Sequence, residues 1–67
     1  MKLQKEQNQT YKFFFTGTNG NKTVNCILDE NCVRYITFVK GKRPVRKEFS
    51  NNEKAKCFEK ALKELNK

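Results

Sequence analysis

The chain contains no histidine, so the side chain that most often serves as general base or metal ligand near neutral pH is missing. It has no Cys-x-x-Cys pair, and three cysteines plus a carboxylate would supply a zinc site only at unhelpful spacing. There is no Gly-rich phosphate-binding motif. Among the carboxylates, Asp29 and Glu30 fall in a turn and are expected to be solvated. Cys32 lies near that turn, and no base accompanies it to make a nucleophilic thiolate. Neither an enzyme nor a bound metal or cofactor is expected.

Long apolar runs are also lacking. No segment approaches the roughly 18 apolar residues of a membrane span. The first residues, Met1-Lys2-Leu3-Gln4-Lys5-Glu6-Gln7-Asn8-Gln9, have no apolar stretch of the kind a secretory signal carries. A soluble, cytoplasmic protein with no membrane partner is the expectation. In that compartment an odd number of cysteines reads as free thiols rather than a disulfide framework, with Cys26 and Cys57 as small buried residues.

Acidic residues are scarce: seven, against fifteen Lys and Arg, for a net charge of +8 in 67 residues. The excess is uneven. Residues 1–31 hold four cations and three acids, a net +1, whereas residues 32–67 hold eleven and four, a net +7. A field of that sign concentrates polyanions, which makes nucleic acid, an anionic membrane or an acidic protein the partner classes to weigh.

A chain of this length forms one domain at most. Residues 1–9, polar apart from Met1 and Leu3, read as a flexible tail, and residues 10–67 as a single β-β-β-β-α domain. The first strand, Thr10 to Thr16, is β-branched and aromatic, and Asn19-Gly20 suits a tight hairpin turn. A second strand runs from Lys22 to Leu28, with Asp29-Glu30-Asn31 as the next turn. A third spans Cys32 to Val39, and Lys40-Gly41-Lys42 turns the chain into a fourth, Pro44 to Phe49. Pro44 cannot donate a ladder hydrogen bond, which fits an edge strand or a strand start. Ser50-Asn51-Asn52-Glu53 has the form of a capping box, and Ala55, Phe58, Ala61, Leu62 and Leu65 follow at helical spacing. The expected fold is α+β: a four-stranded antiparallel meander with one C-terminal helix packed on one face.

Closing each turn tightly sets a register. A hairpin centred on Asn19-Gly20 pairs Phe15 with Val24, a three-residue turn pairs Leu28 with Cys32, and a Gly41-Lys42 turn pairs Phe38 with Val45. The helix face then collects Tyr11, Phe13, Phe15, Val24, Cys26, Leu28, Ile36, Phe38, Val45 and Phe49. Arg34 and Lys47 fall on that side too. The open face collects Lys12, Phe14, Thr16, Thr23, Asn25, Ile27, Val33, Tyr35, Thr37, Val39, Arg46 and Glu48.

Two features point to nucleic acid. Lys40, Lys42, Arg43, Arg46 and Lys47 put five cations in eight residues with no acid, placed on a hairpin where phosphates can be neutralised. The other reading is a solvated turn whose edge lysines block aggregation. On the open face, Phe14 and Tyr35 offer rings for stacking on bases, beside Lys12, Asn25, Thr37 and Arg46. That face is alternatively covered by the tail or by a second subunit. The helix, with cations and glutamates mixed, reads as an ordinary solvated surface.

The stretch from Val33 to Ser50, with its Gly41-Lys42-Arg43 turn and the Ala55/Phe58/Leu62 helix after it, resembles the N-terminal arm-type DNA-binding domain of phage tyrosine integrases. That resemblance implies a sheet face contacting DNA through Tyr35, Thr37 and Arg46, with Lys42 and Arg43 on the backbone. Four strands followed by a helix is also similar to the single-strand-binding domain of a transcriptional coactivator family, which dimerises. The expectation is a non-enzymatic nucleic-acid-binding module, for DNA before RNA, with a homodimer possible. The alternative is a small phage-type inhibitor or adaptor that binds a host protein through its sheet edge or aromatic face.

Overall fold

A computed structural model describes all 67 residues. Five strands form one antiparallel sheet in chain order: β1 (Gln4–Glu6), β2 (Phe14–Asn19), β3 (Lys22–Asp29), β4 (Cys32–Val39) and β5 (Val45–Phe49). A short 3₁₀ turn, Asn51–Glu53, leads into the single helix α1 (Lys54–Leu65). The α+β meander with a C-terminal helix is as expected from sequence, with five strands in place of four.

The additional strand comes from the segment expected to be a tail. Gln4, Lys5 and Glu6 pair with Thr16, Phe15 and Phe14, and Leu3 joins the core. The two ends of the chain are tied together as well: the Met1 ammonium donates to Asn66 Oδ1 at 2.9 Å, and Asn66 Nδ2 donates to the Met1 carbonyl at 3.1 Å. Gly17 makes the seat for this strand. It lies within β2, and a Cβ there would stand 2.6 Å from Leu65 Cδ2 and 2.7 Å from the Lys2 carbonyl oxygen. Gly17→Ala is expected to destabilise the fold by about 1–3 kcal/mol through overpacking. That lowers the melting temperature by roughly 4–8 °C per kcal/mol in a domain this small. A melting temperature equal to the parent's would show that β1 is not seated there.

The expected first strand starts four residues late, because residues 10–13 are held in a loop by side-chain caps. Asn8 Oδ1 accepts from the Thr10 and Tyr11 amides at 2.8 and 3.0 Å, and the Asp29 carboxylate accepts from those of Lys12 and Phe13 at 3.1 and 3.0 Å. Phe13, expected in the core, is 45% exposed, with Lys5 Nζ 4.9 Å from its ring centroid.

The registers differ from expectation at every turn, by two residues at the first, where Phe15 pairs with Cys26 rather than Val24 and keeps its face, and by one residue at the other two. Asn19 pairs with Lys22, so Gly20 and Asn21 form the first turn, with Gly20 at φ 63°. A positive φ at the first central residue alone is the pattern of a type II′ hairpin. Asp29 pairs with Cys32, which leaves a two-residue turn rather than three. Thr37, not Phe38, pairs with Val45. A one-residue slip turns every side chain of a strand over. Hence Val33, Tyr35 and Thr37 lie under the helix, while Arg34, Ile36 and Phe38 face the other way.

Helix α1 packs on β3 and β4. Val24, Cys26, Val33, Cys57, Ala61 and Leu65 are buried together with Leu3. Phe15 meets Phe58 edge-on at 5.4 Å between centroids, and Tyr35 lies 6.0 Å from Phe49. The capping box forms as the sequence implies: Glu53 Oε1 accepts from the Ser50 amide at 3.1 Å and from its hydroxyl at 2.8 Å. Those bonds hold the Glu53 carboxyl below its ordinary value. At the other end, Lys22 Nζ donates to the Glu64 carbonyl at 2.8 Å and Asn19 Nδ2 to the Leu65 carbonyl at 2.8 Å. A cation and an amide thus satisfy the carbonyls where the helix dipole is negative. Lys22 is thereby committed to the fold.

Candidate nucleic-acid interface

The sheet face opposite α1 carries no second layer. Alternation along the strands lays out its rows. One runs Glu6, Phe14, Ile27, Arg34, Glu48; the next Gln4, Thr16, Asn25, Ile36, Arg46; a third Thr18, Thr23, Phe38. Ile27 on the central strand is only 3% exposed, whereas Phe38 is 37% exposed. Phe14, Ile36 and Arg34 are half-buried. The result is an apolar diagonal from Phe14 through Ile27 and Ile36 to Phe38, with guanidinium groups beside it.

Polar groups along the diagonal have specific commitments. Thr16 Oγ1 donates to Asn25 Oδ1 at 2.8 Å, which occupies the Asn25 carbonyl and leaves its amide N–H groups without a partner. Arg34 Nε donates to Cys32 Sγ at 3.1 Å. That contact, and then the neighbouring Glu48 carboxylate, hold its guanidinium above its ordinary value. The turn beyond Phe38 is the basic loop, residues 40–44, which Gly41 shapes at φ 81°. The Lys42 amide donates to the Val39 carbonyl at 2.9 Å, and the Lys40 amide to the Asn21 carbonyl at 3.1 Å. This anchors the loop backbone at its start, and the side chains of Lys40, Lys42 and Arg43 are exposed.

The distribution of ion pairs is the informative electrostatic fact. Only two occur, Lys56–Glu53 and Lys67–Glu64, both at the helix. None of Lys40, Lys42, Arg43, Arg46 and Lys47 has an acidic partner within salt-bridge distance. Lys40, Lys42 and Arg43 stand at one end of the sheet and Arg46 and Lys47 along β5, and no ion pair within the chain competes for an external anion.

The structure divides the residues expected at the site. Phe14, Asn25 and Arg46 share the open face, with Lys40, Lys42 and Arg43 in the adjoining loop. Lys12 lies in the loop before β2, exposed, its amide bound to Asp29. Lys47 is exposed on edge strand β5, where it pairs with Tyr35 and points to the helix side. Tyr35 and Thr37 are corrected: the shorter turn before β4 places both beneath the helix. Burial there pushes the Tyr35 phenol up, and Thr37 is 7% exposed, its hydroxyl oxygen without a hydrogen-bond partner.

Arg34, Ile36 and Phe38 take their places on the open face. A sequence signal for this existed, because the three-residue turn put Arg34 on the core side and a two-residue turn removes it. At the other end of the sheet, a shallow cleft of about 450 Å³ lies between Tyr11, Lys12, Phe13, Lys54 and the Asp29–Cys32 turn. Both Asp29 oxygens there are occupied by backbone amides. No three His, Cys, Asp or Glu side chains converge as a metal site needs, and no helix is long and apolar enough to cross a membrane. No protein-family model, curated protein or solved structure matches this chain.

Proposed function

We propose that this chain is a non-enzymatic, cytoplasmic nucleic-acid-binding module. Its basic loop contacts phosphates, and its open sheet face receives bases. The observation that carries the reading is the set of cations at residues 40–47 without acidic partners, next to a face where Phe14 and Phe38 lie among Arg34, Arg46 and Asn25. Lys40, Lys42 and Arg43 fit backbone contacts, and Arg46 links loop and face. Lys12 and Lys47 extend the positive field at its margins.

The breadth of the sheet favours a single strand. Five strands span about 19 Å at the usual inter-strand spacing. A B-form major groove is about 12 Å wide, which admits a helix or a two-stranded ribbon but not this sheet laid flat. In a duplex the base faces are stacked away, so Phe14 and Phe38 would meet phosphates instead. An unpaired strand presents π-faces to aromatic side chains and phosphates to the loop.

Titration of labelled single- and double-stranded oligonucleotides of one sequence, at several salt concentrations, tests the reading. The expected result is tighter binding of the single strand, with affinity falling linearly on a log–log salt plot. Failure of every form to bind more tightly than about 10⁻⁴ M at physiological salt excludes it. Phe38→Ala is expected to weaken single-strand binding by about 1–3 kcal/mol, the range for losing one stacking platform, with duplex binding unaltered. An equal loss for both forms would remove the stacking role.

The apolar diagonal supports a second reading, an adaptor face for a protein partner or a second copy of this chain. Sedimentation across a concentration series and insensitivity to salt would favour it. The arginines flanking the diagonal make it the lesser fit for self-association, since like charges are brought together.

A further inference from the structure

Cys26 and Cys57 are the only pair of reactive side chains placed against each other inside the core. Cys26 stands at the middle of β3 and Cys57 on the first turns of α1, both 0% exposed, with their sulfurs 3.9 Å apart. Nothing in the nucleic-acid reading uses them. They are 31 residues apart in sequence and belong to the two layers of the fold, the sheet and the helix.

We infer that Cys26 and Cys57 form a reversible modification site, where a peroxide-class oxidant joins α1 to β3 through an intramolecular disulfide. Bond formation requires the sulfurs to close by roughly 2 Å, which side-chain rotation with a small approach of the helix provides. The shared hydrogen bond, and then burial, push the Cys26 thiol up, while the same bond lowers that of Cys57. Either thiol can attack first with the same balance; in one order Cys57, carried on the helix, leads. Its thiolate takes one peroxide oxygen, the O–O bond breaks, and the departing hydroxide gains a proton as water, leaving a sulfenic acid. The Cys26 sulfur then attacks Cys57 and the S–O bond breaks. The hydroxide released takes the Cys26 proton as a second water. Two thiols lose two electrons, and the peroxide gains them.

Both sulfurs are covered, so access follows transient lifting of the helix, a sub-global opening expected in a domain with so small a core. Cys32 does not take part. It is half-buried and lies on the opposite face of the sheet, at the start of β4.

The test uses full-length protein carrying Cys32→Ser, treated with hydrogen peroxide. The expected product has lost two hydrogen atoms in intact mass, and a non-reducing digest yields one peptide joining Cys26 to Cys57. Its melting temperature rises by about 10–20 °C, because the cross-link restricts the unfolded chain over a loop of this length. Dithiothreitol reverses mass and melting temperature together. Sub-denaturing urea accelerates the linkage, as access by opening requires. Cys57→Ala and Cys26→Ala in the same background each abolish the mass loss, a readout that stands even where a variant is poorly folded. Oxygen addition without linkage, with or without urea, overturns the inference. So does a linked product whose melting temperature is unchanged or lowered.

Discussion

Leu65→Ala is expected to remove most of the stability of the fold at room temperature. Leu65 closes α1, is 0% exposed, and meets the Gly17 position on β2 as well as the cluster of Val24, Cys26 and Ala61. Removing three carbons from such a site costs about 2–5 kcal/mol, the transfer of the lost groups plus the cavity they leave. Little relaxation is available, because the chain ends and the Lys22 and Asn19 side chains tie this corner together. A core in a domain of this size seldom supplies more than about 3–5 kcal/mol in total. The loss therefore consumes most of the stability. Urea titration followed by circular dichroism measures it, with Leu62→Ala, at a half-buried position, as the milder comparison. A midpoint within about 0.5 M of the parent, less than 1 kcal/mol at the usual urea slope, would mean that α1 does not hold the sheet in the way described.

The second large effect concerns binding. Replacing Lys42, Arg43 and Arg46 by alanine together is expected to lower single-strand affinity about 50-fold at 0.15 M salt. The estimate takes one released counterion per phosphate contact, at roughly 0.7 per charge on a single strand. The salt slope should flatten by about 2 over the same comparison. All three side chains are exposed and none is in an ion pair, so the fold should keep its melting temperature. Anisotropy titrations from low to moderate salt supply both numbers. Affinity and slope both unchanged would relocate the phosphate contacts to the lysines of α1 and leave the loop as an ordinary solvated turn. A loss of affinity with no change of slope would indicate that the loop acts through shape rather than charge.

Local chemistry made parts of the molecule legible in advance. The helix needs only Ser50, Glu53 and the 3–4 spacing of its apolar residues, all within a few turns of one another. The basic loop is legible for the same reason, since its charge density does not depend on how the strands pair. The strands β3, β4 and β5 follow from β-branched and aromatic runs separated by turn residues.

What escaped is what depends on one residue of register or on a distant contact. Asp29 looked like a turn residue, yet it closes the β3–β4 ladder opposite Cys32 while its carboxylate caps the amides of Lys12 and Phe13. That single assignment moved Tyr35 and Thr37 under the helix and brought Arg34, Ile36 and Phe38 to the open face. The chemical character of the candidate interface survived, with a phenylalanine in place of the tyrosine and an arginine in place of the threonine. Gly17 escaped for another reason: its local neighbours suggest a turn, and the need for a missing Cβ comes from Leu65 and Lys2, far away in sequence.

By itself, then, the sequence determined the charge and its concentration in the second half of the chain, the α+β class, the helix and its cap, and the basic loop. Each of these rests on composition or on interactions between residues close in sequence. Only the tertiary structure decided which alternate residues of β4 face the helix, that residues 4–6 add a strand, and that Cys26 and Cys57 meet. The reason is physical: alternation along a strand has two equivalent phases, and the choice between them is made by long-range packing energy, which no local pattern contains.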